Sequence, residues 1–339
     1  MYSKLGNFID GQWSNNTKEK IDVINPFNEE VLGQIPVSTK EDLDQALESA
    51  KKSFQLWKKT SPWERSIIIK KIADLIRERA DDIAKTMTLE TGKPLVEAKG
   101  ETMGSAEQFD WYSEETKRIY GQIIEPRTQD VRMQVRYEPV GVVAAFAAWN
   151  FPILLPSRKV AAAIAAGCSV IIKPASETPG TCMHMIQACK DAGLPDGVVN
   201  FVTGKSSFIS KYLIESPIIK KVSLTGSVDV GKEILHMAAD GIKKVSMELG
   251  GHAPVLVLND ADVTTAAVTS SNTKFRNAGQ VCISPTRFIV QDKVYSEYCE
   301  KFVENIKKLK LGNGLEEGTN VGPMANIRGL EHVDSLSLI

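Results

Sequence analysis

The residues best suited to do chemistry lie in three short stretches. Asn277-Ala278-Gly279-Gln280-Val281-Cys282 presents a thiol after a glycine-loosened turn. Upstream, Met247-Glu248-Leu249-Gly250-Gly251 sets a carboxylate beside a Gly-Gly pair. A nucleophile and a base are the two parts needed to form and then hydrolyse a covalent acyl intermediate. Trp149-Asn150-Phe151-Pro152 adds a side-chain amide able to donate to an oxyanion. Each has a plainer reading when taken alone. Glu248 closes a strand-like run, 244–249, and can be a satisfied sheet-end carboxylate, while Asn150 can be a turn residue. A free thiol has a pKa of about 8.5, so it needs help to act as a thiolate at neutral pH. Cys168, Cys182, Cys189 and Cys299 sit in or beside apolar or amphipathic segments and read as packing residues. Cys282, with Gly279 and Gln280 before it and Pro285 after it, does not.

The elements that must hold these groups follow from periodicity. Short apolar runs at 142–148, 169–172, 198–202 and 221–224 read as buried strands. Between and after them, 156–166, 178–192, 206–215 and 228–239 read as helices. That alternation predicts an α/β fold with a doubly wound, Rossmann-like parallel sheet. A second series begins near Pro254, with strands at 255–258 and 287–291 and helices at 261–276 and 293–310. The first third is helical after a short β start. Ser38-Thr39-Lys40-Glu41 reads as a capping box, followed by Leu43, Ala46, Ala50, Phe54 and Trp57 at helical spacing. Ser61-Pro62-Trp63-Glu64 starts a second helix, with Ile68, Ile72, Leu75 and Ile76 as its buried stripe. A third helix ends near Gly92. Residues 123–140, with the alternating Gln134-Val135-Arg136-Tyr137-Glu138, read as a projecting hairpin.

An open parallel sheet takes its ligand at the carboxyl ends of its strands. Lys173-Pro174-Ala175-Ser176 and Thr203-Gly204 follow two of the predicted strands. Thr225-Gly226-Ser227-Val228-Asp229-Val230-Gly231 follows the next and opens a helix, whose free N–H groups suit a pyrophosphate. A G-x-x-x-x-G by itself is weak evidence. Its position after a strand, with Lys173 at another strand end, favours a nucleotide.

Bulk properties exclude several classes. With 339 residues, 42% hydrophobic and 24% charged, the chain has the composition of an ordinary globular protein large enough for two domains. Lys+Arg 41 against Asp+Glu 42 leaves no electrostatic footprint for nucleic acid or an anionic membrane. The uncharged run 139–157 is interrupted by Gly141, Asn150, Pro152 and Pro156, so it reads as strand, turn and helix rather than as a membrane span. Five irregularly spaced cysteines argue for a reducing compartment, and the first seven residues lack the apolar run of a signal peptide. The expectation is a cytoplasmic protein with no metal site.

Together the three reactive stretches closely resemble the aldehyde dehydrogenase superfamily, in its order and at its spacings, from about Phe8 to the last residue. The resemblance implies NAD or NADP as cofactor and a small-molecule aldehyde as substrate. It implies Cys282 as nucleophile, Glu248 as the base that activates water, and Asn150 in the oxyanion hole. It implies cofactor contacts from Trp149, Lys173, Ser176, Gly204, Thr225, Gly226, Ser227, Gly231, Leu249 and Gly250. Members selective for NAD often carry Glu where this chain has Ser176. A serine can donate to a 2′-phosphate and Lys173 adds charge, although Glu177 could mimic the missing acid, so the reading leans to tolerance of NADP.

Arg158 and Arg276 match the arginines that hold the distal carboxylate in the succinate-semialdehyde branch, and the segment from Trp111 to Gly121 resembles that branch too. Ser284 departs from it, because some members have there a second cysteine that closes a disulfide. The implied domains are a cofactor domain of 1–122 and 141–252, an oligomerisation hairpin of 123–140, and the first part of a catalytic domain at 253–339. Family members normally continue well past Ile339, so a C-terminally truncated chain is expected, a homo-oligomer only at full length. The competing expectations are a betaine-type or medium-chain aldehyde dehydrogenase, or an inactive nucleotide-binding fragment.

Overall fold

Val142, Ala144 and Phe146 pack into one hydrophobic cluster and Val143 and Ala145 into another, and all five are buried. A strand apolar on both faces must be covered on both, which is the condition of a central parallel strand. This strand, β7 (Val142–Phe146), lies at the centre of the five parallel strands of the main sheet in the computed structural model, which describes residues 6–337. Residues 1–5, read above for a leader, and residues 338–339 lie outside the described residues. Beside β7 run β8 (Ser169–Lys173) and β9 (Val199–Phe201) on one side, and β10 (Ile219–Gly226) and β11 (Lys244–Leu249) on the other, all parallel. The chain therefore reverses direction across the sheet between β7 and β10, and a crevice opens there at the carboxyl ends. The short β start, β1 (Asn7–Ile9) and β2 (Gln12–Ser14), joins this sheet antiparallel beyond β9. Two further strands, β3 (Lys20–Ile24) and β4 (Val31–Pro36), pair with each other.

Helices cover both faces. On one lie α1 (Lys40–Trp57), α7 (Ser206–Glu215) and α8 (Val228–Asp240). On the other lie α2 (Pro62–Glu78), α3 (Ala80–Thr91), α4 (Leu95–Glu115), α5 (Leu154–Ala165) and α6 (Pro179–Asp191). The predicted hairpin is present, shifted to β5 (Gln122–Ile124) and β6 (Met133–Val135). The second series gives β12 (Ala253–Val257), α9 (Val263–Phe275), β13 (Pro285–Val290) and α10 (Asp292–Ile306), with β12 and β13 parallel and a small core of Val257, Val263, Ala267, Val294 and Tyr298. A last helix, α11 (Ile327–Ser337), had no sequence assignment. Among the described residues no helix is long and apolar enough to cross a membrane.

Several local expectations need correction. The first capping box uses Thr39 and Asp42, one residue later than read, because the Ser38 hydroxyl is taken by Asn7 and the Thr203 carbonyl. Ile69, rather than Ile68, is fully buried on α2. Helix α5 begins two residues before the predicted 156, because Glu101 of α4 accepts the N–H groups of Ile153 and Leu154 at 3.1 and 3.2 Å. α4 escaped detection because its buried side chains are mostly small or polar: Ala98, Glu101, Thr102, Ser105, Ala106 and Ser113 besides Phe109.

Candidate active site

The segment before Cys282 leaves α9 through a left-handed turn. Asn277, Ala278 and Gly279 all have positive φ, at 51°, 54° and 77°. Two consecutive non-glycine residues in this region are strained and persist only where surroundings hold them. The holding groups are visible. Asn277 N–H donates to Glu97 Oε2 at 2.9 Å, and Asn277 Nδ2 donates to the carbonyls of Asn150 at 3.0 Å and Gln280 at 3.2 Å. Gln280 returns its Nε2 to the Asn277 carbonyl at 3.0 Å and accepts Ala325 N–H on Oε1 at 3.0 Å. Cys282, half-buried and free, follows, and β13 starts three residues later.

Asn150 lies in the turn after β7. Its Nδ2 donates one hydrogen to the Gln280 carbonyl at 3.1 Å, which ties this turn to the thiol's turn. An amide nitrogen has two hydrogens, so the second remains for an oxyanion. The Asn150 carbonyl accepts Lys93 Nζ at 2.9 Å, and Lys93 forms a buried ion pair with Glu101. Lys93, Glu97 and Glu101, absent from the sequence-level candidates, thus anchor both turns to α4 and its entrance. Their signal was an i, i+4 acidic pair on the helix beginning after Gly92-Lys93-Pro94.

Two pairings fix the path of the chain from Glu248 to Gly251. In the register of β10 and β11, Glu248 stands opposite Thr225 and Leu249 opposite Gly226. The β12–β13 pairing then carries the Gly250-Gly251 link past the Cys282 turn, so that a Cβ on Gly251 would lie 3.9 Å from the Cys282 carbonyl oxygen. The Glu248 carboxylate lies 3.6 Å from Arg158 Nη1, with both side chains nearly half exposed, a weak pair in solvent. Both line a cavity of about 590 Å³ with Lys159, which the sequence reading did not single out and which donates to Ser223 Oγ at 3.1 Å. Burial lowers its amine to about 8 against the opposing charge of Glu248.

The two candidate arginines line different cavities, with Arg158 one turn along α5 from Leu154 of the Arg276 cavity. Arg276 faces a different cavity of about 280 Å³, lined also by Glu97, Gly100, Gly104, Phe151 and Leu154. Its guanidinium carbon lies 5.1 Å from the Phe151 ring centroid, and Lys93 Nζ lies 4.2 Å from the same centroid.

The nucleotide candidates gather at the carboxyl ends of the parallel strands. Lys173 ends β8, buried, and donates to Ser206 Oγ at 2.6 Å and Ser176 Oγ at 3.5 Å. Burial brings its amine down to about 8, with Glu177 opposing. Ser176 reaches the Gly204 carbonyl at 3.4 Å. Gly204, at φ 125°, lies so close to the backbone of Val37 and Ser38 that a Cβ would touch both at 3.0 Å. Ser227 caps α8, accepting Val230 N–H at 3.3 Å. Thr225 Oγ1 is buried without a partner among the described residues. An orphaned hydroxyl beside a capped helix start and a buried cation fit a nucleotide carrying phosphates. Trp149 sits half-buried after β7, and Gly250 is open on its Cβ side. A Cβ on Gly231 would lie 2.7 Å from a Leu249 methyl, so at this glycine α8 packs closely against β11. Among the described residues no cluster of metal-ligating side chains appears.

Residues 13–337 match the aldehyde dehydrogenase family. The succinate-semialdehyde dehydrogenase [NADP(+)] of Escherichia coli is 40% identical over 327 residues, covering 96% of this chain and 68% of that protein. The glutarate-semialdehyde dehydrogenase of Pseudomonas putida is likewise 40% identical, over 96% of this chain and 69% of its own length. A crystal structure of an E. coli NADP-dependent enzyme superposes with a TM-score of 0.96 at 40% identity, covering 98% of this chain and 69% of that one.

Proposed function

This chain belongs to the aldehyde dehydrogenase family, and from that premise we propose that it acts on an aldehyde with a distal carboxylate, succinate semialdehyde first, converting it to the free acid. The observation that supports this reading is the hydrogen-bonded union of two turns: Asn150 and Asn277 both donate to the Gln280 carbonyl, two residues before the Cys282 thiol.

In this reading Cys282 attacks the aldehyde carbon, forming a C–S bond. The resulting oxyanion is held by the second Asn150 N–H and by the backbone N–H of Cys282. The chemistry supplied by NAD or NADP, when bound, is hydride acceptance. Lys173, Ser176, Ser227 and Thr225 would hold it at the strand ends. Cys282 then carries the acyl group as a thioester. Glu248 takes a proton from the attacking water, and the thiolate leaves with the electrons of the broken C–S bond. Residues 1–122 and 141–252 are proposed as the cofactor domain, 253–339 as the start of the catalytic domain, and the hairpin at 123–140, with exposed Ile123, Ile124 and Met133, as an oligomer contact.

Arg276 and Arg158 are proposed to recognise the distal carboxylate, because a guanidinium fork suits that group. Arg158 must then exchange Glu248 for substrate. The names of the relatives pair this family branch with both succinate and glutarate semialdehydes, which differ by one methylene, so chain length is the open choice.

The test measures reduced cofactor produced from succinate semialdehyde, glutarate semialdehyde and an uncharged aldehyde of similar length. Cys282→Ser should abolish turnover, and Arg158→Ala and Arg276→Ala should raise KM for the charged aldehydes only, by roughly 1.5–3 kcal/mol per lost charged hydrogen bond. Turnover in Cys282→Ser within about tenfold of the parent removes the nucleophile. Equal effects on charged and uncharged aldehydes remove the carboxylate clamp.

A further inference from the structure

The geometry points to Glu97 of α4 as the positioning residue of the nucleophile turn, an inference that rests on the reading of Cys282 as nucleophile. Its Oε2 accepts the N–H of Asn277 across 180 positions of sequence, at 2.9 Å. Asn277 and Ala278 hold φ/ψ of 51°/39° and 54°/31°, a backbone that side-chain-bearing residues rarely adopt. Among the described residues, the Glu97 carboxylate is the partner of the Asn277 N–H from outside the turn. The other ties are the Asn277 side chain, which reaches the Asn150 and Gln280 carbonyls, and the Gln280 amide, which returns to the Asn277 carbonyl. Removing the Glu97 acceptor therefore orphans a buried N–H at the first strained residue, five positions before the thiol of Cys282.

The surroundings show that the acceptor is built for this place. Burial raises the Glu97 carboxyl, while the Asn277 N–H, Lys93 and Arg276 lower it and Glu101 raises it further. The carboxylate also borders the cavity that Arg276 enters, over the Phe151 ring. One side chain thus sets the exit of α9 from which both Arg276 and Cys282 depart.

Hydrogen exchange of the 339-residue chain, read by mass spectrometry on residues 275–284, tests the assignment. Glu97→Ala should speed exchange of that segment by about tenfold or more while β7 keeps its protection. Glu97→Gln keeps an acceptor oxygen and should stay within about threefold of the parent. In turnover, Glu97→Ala should lower kcat about tenfold with aldehyde KM within about twofold, the pattern of a misplaced nucleophile. Ala278→Gly added to Glu97→Ala should restore at least about threefold of the lost kcat, because glycine enters the left-handed region without strain. Unchanged exchange in Glu97→Ala, or a Glu97→Gln that loses as much as Glu97→Ala, overturns the proposal. So does loss of protection in β7, which would assign Glu97 to the fold. Activity surviving in Cys282→Ser would defeat the nucleophile reading while leaving the exchange result to stand or fall separately.

Discussion

In the proposed mechanism Cys282 and Glu248 divide two half-reactions between them. Glu248 is not needed until water attacks the thioester, so Glu248→Gln should give one burst of reduced cofactor followed by slow turnover. Rapid mixing checks this, and loss of the burst itself would mean that Glu248 acts earlier. Lys173 gives a pH dependence. Burial depresses its amine from 10.5 to about 8, so it is charged below that pH and neutral above it. Cofactor affinity, above all for a 2′-phosphate, should weaken between about pH 7 and 9 as the charge is lost, and Lys173→Met should flatten the profile. Titration of the dissociation constant decides it; a parallel pH slope in Lys173→Met would assign the effect elsewhere. For folding the sign is reversed: a depressed amine favours the neutral form, so its contribution to stability is full above 10.5 and is lost as pH falls through about 8.

Elements meet at the site through close approaches. Gly231 allows α8 to lie against Leu249 of β11, one residue from Glu248. Gly231→Val should overpack this contact, at a cost of about 1–3 kcal/mol in stability, and weaken cofactor binding because the capped start of α8 moves with it. Thermal unfolding and cofactor titration together check this. A stable variant with parental affinity would show that Leu249 yields freely. The other decisive joint is between α4 and α5. Glu101 caps α5 from a different helix and pairs with Lys93, so one buried acid sets where the Asn150 turn ends and α5 begins.

At the scale of the whole chain, the two parts differ in how well they cover their apolar surface. The seven-stranded sheet is enclosed by two extensive clusters, whereas β12 and β13 have a small core and leave Leu256 and Ile289 exposed, with Leu258 beside them. On α11, Ile327, Leu330 and Val333 are exposed as well. Exposed apolar groups and short two-stranded edges favour association. The 339-residue chain should bind an apolar fluorescent dye and self-associate in a concentration-dependent way, and Leu256→Thr with Ile289→Thr should reduce both. A monomeric parent with no dye binding at high concentration would refute this.

What the sequence by itself determined is whatever depends on near neighbours. The alternation of apolar runs and helical stretches specified the doubly wound sheet, because burial of both strand faces leaves continuous apolar runs. Ser61, Pro62 and Glu64 specified the start of α2, since a capping box spans only four successive positions. Motif order singled out Cys282, Glu248 and Asn150 as candidates. Only the tertiary structure decided what depends on distant partners. It alone revealed that Glu97 accepts the Asn277 N–H at a left-handed turn, that Glu101 starts α5 early, and that the buried face of α4 is mostly small or polar. It set Gly231 against Leu249 and put Arg158 beside Glu248 and Arg276 in a separate cavity. Such groups carry no periodic apolar signal, and their partners lie tens to hundreds of positions away, so their roles exist only once the chain has closed on itself.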